Sequence, residues 1–325
     1  YDGVGNLTKL TKPNGTIIDY TYDALNRLET VSYGGVLAIS FMYDENGNRR
    51  YMTDSLGTQE WVYDELDRVT SHTDPHGNQV GYGYDENGNR TSLTYPDLKV
   101  VGYTYDALNR LTDVTDWQSR NTRYDYDPAS RLTQVTLPNG TTAQYGYDTA
   151  DRLTSLENRK SDTSVISTYA YTLDKVGNHA AETRDEPLMP ILVPGVMNYS
   201  HDMENRLTHI DGVTISFDAN GNLTGQSGIT YSWDEEDRLL SQDDGSVVTT
   251  YDYDGLGERF QRTEGGTTTR FVLDTNTPLT NVIAEADSSN NITAYNIYGL
   301  GLIARTDAGG GTHYYHYDSR GSTIA

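Results

Sequence analysis

Large rings and short polar turns alternate along this chain with a fixed period. Tyr20, Phe41, Trp61, Tyr82, Tyr103, Tyr124 and Tyr145 each stand two residues before a Tyr-Asp dipeptide. The dipeptides are Tyr22-Asp23, Tyr43-Asp44, Tyr63-Asp64, Tyr84-Asp85, Tyr105-Asp106, Tyr126-Asp127 and Tyr147-Asp148, in steps of 21, 20, 21, 21, 21 and 21 residues. Positions i and i−2 share one face of a strand, so every unit lays two rings on the same side. Aromatics suit a pleated, half-buried surface and pair well across strands. The chain has 27 Tyr and 4 Phe. That bias implies rings that pack while their hydroxyls stay wet.

After each dipeptide comes a turn. It reads Ala-Leu-Asn-Arg-Leu at 24–28 and 107–111, Glu-Asn-Gly-Asn-Arg at 45–49 and 86–90, and Glu-Leu-Asp-Arg-Val at 65–69. Asp, Asn and Gly tolerate the left-handed backbone and bond their own main chain. A second turn closes the unit, as in Lys12-Pro13-Asn14-Gly15 and Leu137-Pro138-Asn139-Gly140. Asn-Gly between strand-like runs signals a hairpin. Each unit therefore holds about two strands, and no segment keeps a helical period. Asp and Arg recur four apart around the turn (Asp23 and Arg27, Asp106 and Arg110, Asp148 and Arg152), which suggests a bracing ion pair.

The pattern predicts an all-β array of hairpins in one elongated or coiled sheet. Residues 1–175 carry the regular 21-residue repeats, and 176–325 carry irregular ones at steps of 16 to 44. Later copies include Tyr253-Asp254 and Tyr317-Asp318. A Pro-rich apolar insertion at 185–198 breaks the pattern. Pro removes ladder donors, so this segment reads as a loop over a sheet edge. Its Ile191, Leu192 and Val193 are also candidates for contact with a cargo or a neighbouring subunit.

Composition narrows the functions. The chain of 325 residues has a net charge of −23 from 24 basic and 47 acidic residues. That balance argues against a nucleic-acid surface, which needs Lys and Arg. Acids in the turns read as solubility and protection against edge-to-edge association. No Cys is present, so a disulfide framework and a Cys metal site are excluded. No run of 18 apolar residues suggests a membrane span. The chain starts inside a repeat, which reads as part of something longer.

These residues resemble the YD repeats of the Rhs family, whose motif runs Tyr-Asp-x-x-Gly/Leu-Asn/Asp-Arg-Leu. The C-terminal stretch at 295–325, with Tyr298-Gly299-Leu300-Gly301-Leu302-Ile303-Ala304-Arg305 and His313-Tyr314-Tyr315-His316-Tyr317-Asp318-Ser319-Arg320-Gly321-Ser322-Thr323, looks like the end of an Rhs core. The resemblance implies a spiral β-sheet forming a hollow shell, or part of one, related to the shells of insecticidal toxin complexes and teneurin-type proteins. It also implies a secreted or cell-surface protein that holds a C-terminal toxin or effector. That effector, outside this chain, or neighbouring subunits would be the partners. The alternative is an extracellular fibre, spacer or carbohydrate-binding adhesin, with glycans as partners.

Candidate chemistry is sparse. Asp44-Glu45-Asn46-Gly47-Asn48 and Asp85-Glu86-Asn87-Gly88-Asn89 place oxygens like a calcium loop. Their Gly comes at the fourth place and no acid at the twelfth, so a hairpin turn is the better reading. His313 and His316 would face opposite sides of a strand in an aromatic ladder. Nothing singles out a carboxylate pair for glycoside hydrolysis. The expectation is a non-enzymatic scaffold with no catalytic, metal or cofactor residue, whose coils hydrogen-bond edge to edge.

Overall fold

The computed structural model of the chain describes residues 1–187 and 195–325. Among these there are thirty strands, from Lys9–Thr11 to Thr312–Tyr314, and no helix. Ile191, Leu192 and Val193 lie outside the described residues. Contacts divide the chain into two compact units, Tyr1–Val80 with Pro194–Ile292 and Gly81–Val193 with Thr293–Ala325. Within each, successive strands pair antiparallel as hairpins.

One register irregularity recurs immediately before the motif tyrosine. It falls between Met42 and Tyr43, Val62 and Tyr63, Thr104 and Tyr105, Asp125 and Tyr126, and Asp252 and Tyr253. A bulge adds one residue, bends the strand and re-aims the side chain that follows. Here it turns the chain into the Asp-led turn, so that Tyr126 pairs with Leu132.

Turns at both ends of the hairpins share one geometry. The N–H of the first residue reaches the carbonyl four residues on, and the fourth residue's N–H returns to the first carbonyl; Asp106 and Arg110 (3.0 Å) with Asn109 and Asp106 (3.0 Å) are an example. The fourth residue is left-handed, as in Asn26 (φ 61°) and Gly47 (φ 95°). This is a type I turn with a left-handed bulge residue. The Asn-Gly turns are of this kind, with only the Gly at positive φ at Gly15 and Gly140. Tight two-residue turns occur instead at Gly34-Gly35, Asp211-Gly212, Ser227-Gly228 and Gly265-Gly266, where both φ values are positive.

In the first unit the interior gathers Ile18, Val31, Ile39, Phe41, Met52 and Trp61. A second cluster joins Phe260, Phe271 and Leu273 to Leu56 and Val282. Turns of the later strands seat against the earlier ones. Lys12 Nζ bonds Asp237 Oδ2 at 2.7 Å, Tyr33 donates to Glu236 at 2.6 Å, and Gly255 N–H donates to Asp54 at 2.7 Å. A Cβ on Gly255 would stand 2.7 Å from Ile39 Cγ2 and 3.1 Å from Met52 Sδ, so the seat admits only glycine without movement. The second unit is built alike. Leu156, Tyr169, Tyr171 and Ile324 pack together, and Tyr171 donates to Ser319 at 2.7 Å. Side chains and turn amides thus join the strand runs of each unit, in place of the expected edge-to-edge ladder.

Candidate functional site

The repeated turn is the most organised feature of the chain. The lead Asp of each copy folds its own loop. Asp106 Oδ1 accepts the N–H groups of Leu108 (2.9 Å) and Arg110 (3.0 Å), and its Oδ2 takes Arg110 Nε at 2.7 Å. The same set surrounds Asp23, Asp64, Asp127 and Asp148. In Asp64, Asp106, Asp127 and Asp148 the Arg side chain is the foremost group holding the carboxyl below its usual range. Where Asn replaces Arg, its amide takes the role, as Asn48 does to Asp44 at 3.1 Å and Asn89 to Asp85 at 2.9 Å. Those carboxylates are occupied with capping their own turns. No group of three metal-ligating side chains occurs among the described residues.

Each turn also grips the next. Arg27 sends Nη1 to the carbonyl of Asp44 (3.2 Å), Arg131 to that of Asp148 (3.1 Å), and Arg238 to that of Asp254 (2.8 Å). The same guanidinium lies over the following motif ring. The distances are Arg27 to Tyr43, 4.6 Å, Arg110 to Tyr126, 4.7 Å, Arg131 to Tyr147, 5.0 Å, and Arg238 to Tyr253, 5.3 Å. Asn pairs do this by another route. Asn46 and Asn48 both donate to Asp67 Oδ1 (2.8 and 2.7 Å), and Asn220 and Asn222 to Asp237 Oδ1 (2.8 Å each).

The motif tyrosines close the ladder from behind. Tyr43 donates to the carbonyl of Leu28 (2.8 Å), Tyr63 to Arg49, Tyr105 to Arg90, Tyr126 to Leu111, Tyr147 to Leu132 and Tyr317 to Leu302. Tyr22 does the same to Leu7. The expected wet hydroxyls are therefore committed to backbone. Burial raises the phenol pKa at Tyr43, Tyr105 and Tyr126, and pushes Tyr317 to about 12. Among the rings two residues upstream, Phe41 (8% exposed), Trp61 (6%) and Tyr124 (4%) are buried, whereas Tyr20 and Tyr145 are half-buried.

Two features escaped the sequence reading. The Asp44 and Asp85 turns, with Asn48 and Asn89 at the fourth place after Asp, put Arg at the fifth. One step along a strand changes the face, and Arg49 lies over Phe41 and Trp61 at 5.7 and 5.1 Å, Arg90 over Tyr82 and Tyr103 at 5.9 and 5.3 Å. The other is a buried relay in the first unit. His72 Nε2 meets Gln59 Oε1 at 2.7 Å, and Gln59 Nε2 donates to Asp254 Oδ2 at 2.7 Å. Burial lowers the His72 pKa to about 4 and raises that of Asp254. Their separation in sequence hid the group. His313 and His316 are corrected too. His313 is in the last strand, but His316 lies past it, buried, with Nδ1 at 3.2 Å from Asn158 and Nε2 at 2.9 Å from Thr141.

An antiparallel hairpin array with one turn chemistry repeated through both units defines a β-repeat scaffold. The RHS Repeat family model matches residues 1–35, 43–79, 63–98, 105–142 and 126–163. The chain belongs to this Rhs, or YD-repeat, family. It is 30% identical over 159 residues to the tRNA3(Ser)-specific nuclease WapA of Bacillus spizizenii and to the tRNA nuclease WapA of Bacillus subtilis. Each match takes in 48% of this chain and 7% of the relative. Its fold matches a chain of the Photorhabdus luminescens Tc holotoxin pore carrying the TccC3-D651A mutation, with TM-score 0.66 and 15% identity over 99% of this chain and 23% of that one. The TcdB2-TccC3-TEV structure matches at TM-score 0.62 and 15% identity, over 99% and 24%. At that identity the likeness is one of fold.

Proposed function

We propose that the chain is a non-catalytic wall segment that encloses a C-terminal effector polypeptide of a secreted or cell-surface Rhs protein. The observation that carries this is the turn ladder. Its Asp, Arg and Tyr side chains are spent on capping their own turns and on binding one hairpin to the next, and no group of three metal-ligating side chains occurs among the described residues. The shell-like fold of the Tc neighbours supports the container role. In the WapA relatives the matched stretch is 7% of the protein, so their nuclease function is assigned here to other segments. The effector is a partner outside this chain, and the wall confines it until delivery.

The test is imaging of the natural protein with and without its C-terminal domain, by negative stain or small-angle scattering. A rounded particle with a low-density centre that fills when the domain is present is the expected result. A solid rod or open filament overturns confinement and favours the fibre.

A further inference from the structure

We propose that Asn46-Gly47, in the first unit, is a self-modification site, at which spontaneous deamidation loosens the joint between the Asp44 and Asp64 turns. The chain has five Asn-Gly pairs, led by Asn14, Asn46, Asn87, Asn139 and Asn220, and all five lie in turns. The chemistry open to each is the same. The structure gives the five side chains different work.

The reaction needs only water. The Gly47 amide nitrogen, having lost its proton to solvent, attacks Asn46 Cγ. The new N–Cγ bond forms, the Cγ–Nδ2 bond breaks, and Nδ2 leaves as ammonia with a proton from water. Water then opens the five-membered imide at either carbonyl, giving aspartate or isoaspartate. One water enters and one ammonia leaves, with no oxidant or reductant.

Three features favour this pair. Glycine leaves the attacking nitrogen unhindered by a Cβ. The Gly47 N–H is held to the Asp44 carbonyl at 3.2 Å, the long end of such bonds, whereas Gly15 and Gly140 hold the Lys12 and Leu137 carbonyls at 2.9 Å. Asn46 is exposed, so water and base reach it.

The consequence is also particular to Asn46. Its Nδ2 donates to Asp67 Oδ1 at 2.8 Å, beside the Asn48 amide at 2.7 Å. Deamidation removes that donor and sets a second carboxylate against Asp67, and facing like charges repel. In the Asn220 joint Lys12 Nζ relieves the equivalent acid, Asp237, at 2.7 Å; Asp67 has no such cation among the described residues. The remaining pairs are tolerant. Asn14 and Asn139 use Oδ1 to accept the N–H groups of Thr16 (2.9 Å) and Thr141 (3.1 Å), a role a carboxylate continues. Asn87 donates to Asn109, an uncharged amide, at 3.1 Å, so its product meets no charge there. The site is independent of confinement and stands or falls separately.

The experiment ages the intact protein at mildly alkaline pH, where the amide nitrogen ionises more readily. Peptide mapping by mass spectrometry reads each pair, and amide exchange reads the joint. Asn46 converts before Asn14 and Asn139, and exchange in Gly57–Tyr63 and Val69–Thr73 quickens as it does. Asn46→Asp copies the charge without ageing. Exchange in the same strands rises about threefold, the scale of one exposed polar contact, and the rise fades in high salt. Asn14→Asp leaves those strands unchanged. The aged parent carries the test if Asn46→Asp does not fold. An Asn46 that outlasts Asn14 and Asn139, an Asn46→Asp protein that exchanges like the parent, or a rise that persists in high salt overturns the proposal.

Discussion

Arg238→Ala tests whether the guanidinium joins repeats or merely decorates a turn. Arg238 bonds Asp234 Oδ2 at 2.6 Å, donates to the Asp254 carbonyl at 2.8 Å, and lies 5.3 Å over Tyr253. Its side chain is 21% exposed and that of Asp234 8%. A charged donor to a carbonyl contributes about 1.5 kcal/mol, the ring contact about 0.5, and the ion pair about 1 at most. These overlap, and Asp234 keeps the backbone N–H bonds from Glu236 and Arg238. The expected loss is therefore about 2 kcal/mol, within the span of those contributions. Arg206 is the internal control. It bonds Asp202 at 2.7 Å in the same way, but it is 67% exposed and has no contact with a following turn among the described residues. Urea unfolding should move the midpoint for Arg238→Ala at constant m, with faster amide exchange in Leu239–Asp243 and Val248–Tyr253. Arg206→Ala should change neither. Arg238→Lys should fall between, since Lys keeps the charge but loses the planar fork. Equal effects of the two Ala substitutions would refute the coupling.

Tyr126→Phe keeps the ring and deletes the bond to Leu111 (2.9 Å), so it should lose about 1 kcal/mol in the same urea assay. Thr163, a β-branched residue at φ +71° in an exposed turn, should gain about 0.5–1 kcal/mol on replacement by Gly. Gly255→Ala should lower the melting temperature sharply, because its Cβ would meet Ile39 at 2.7 Å. His72 is depressed to about 4 in the folded state against about 6.5 unfolded. Its contribution is whole above pH 6.5 and is lost as pH falls towards 4, up to about 3 kcal/mol by linkage. Asp254, raised by burial, works in the opposite sense at its own titration, so the slope is isolated by comparing His72→Gln with the parent between pH 7 and 4.

The hairpins were legible because the signals are local. Rings at i and i−2, an Asp-led turn and a Gly or Asn at the left-handed place all lie within eight residues, and each has one backbone solution. The joints between repeats were not legible. Asn46 and Asp67, or Arg131 and Asp148, are 21 and 17 residues apart, and only the hairpin geometry makes them neighbours. Treating Asn-Gly-Asn-Arg as a variant of Leu-Asn-Arg hid a change of face, since one residue's offset moves Arg49 from the turn to the rings. His72, Gln59 and Asp254 had no shared motif, and only tertiary packing assembled them.

Irregular spacing and invariant joints are compatible for a physical reason. Arg27 reaches the next Asp carbonyl 17 residues on, Arg152 reaches it 22 on, and Arg238 16 on, at 3.2, 2.8 and 2.8 Å. Strand length and the far turn absorb the difference, from the six residues of Ile17–Tyr22 to the nine of Val165–Leu173. A joint that depends only on adjacent turns gives stability summed over neighbours, as in other repeat arrays. Such an array tolerates changes in hairpin length, provided the Asp, Arg and Tyr of each joint stay in place. A deletion confined to a far turn, such as residues 162–163, should thus leave the Arg131 to Asp148 joint intact. Loss of protection at that joint after such a deletion would show that the repeats couple through the whole hairpin instead.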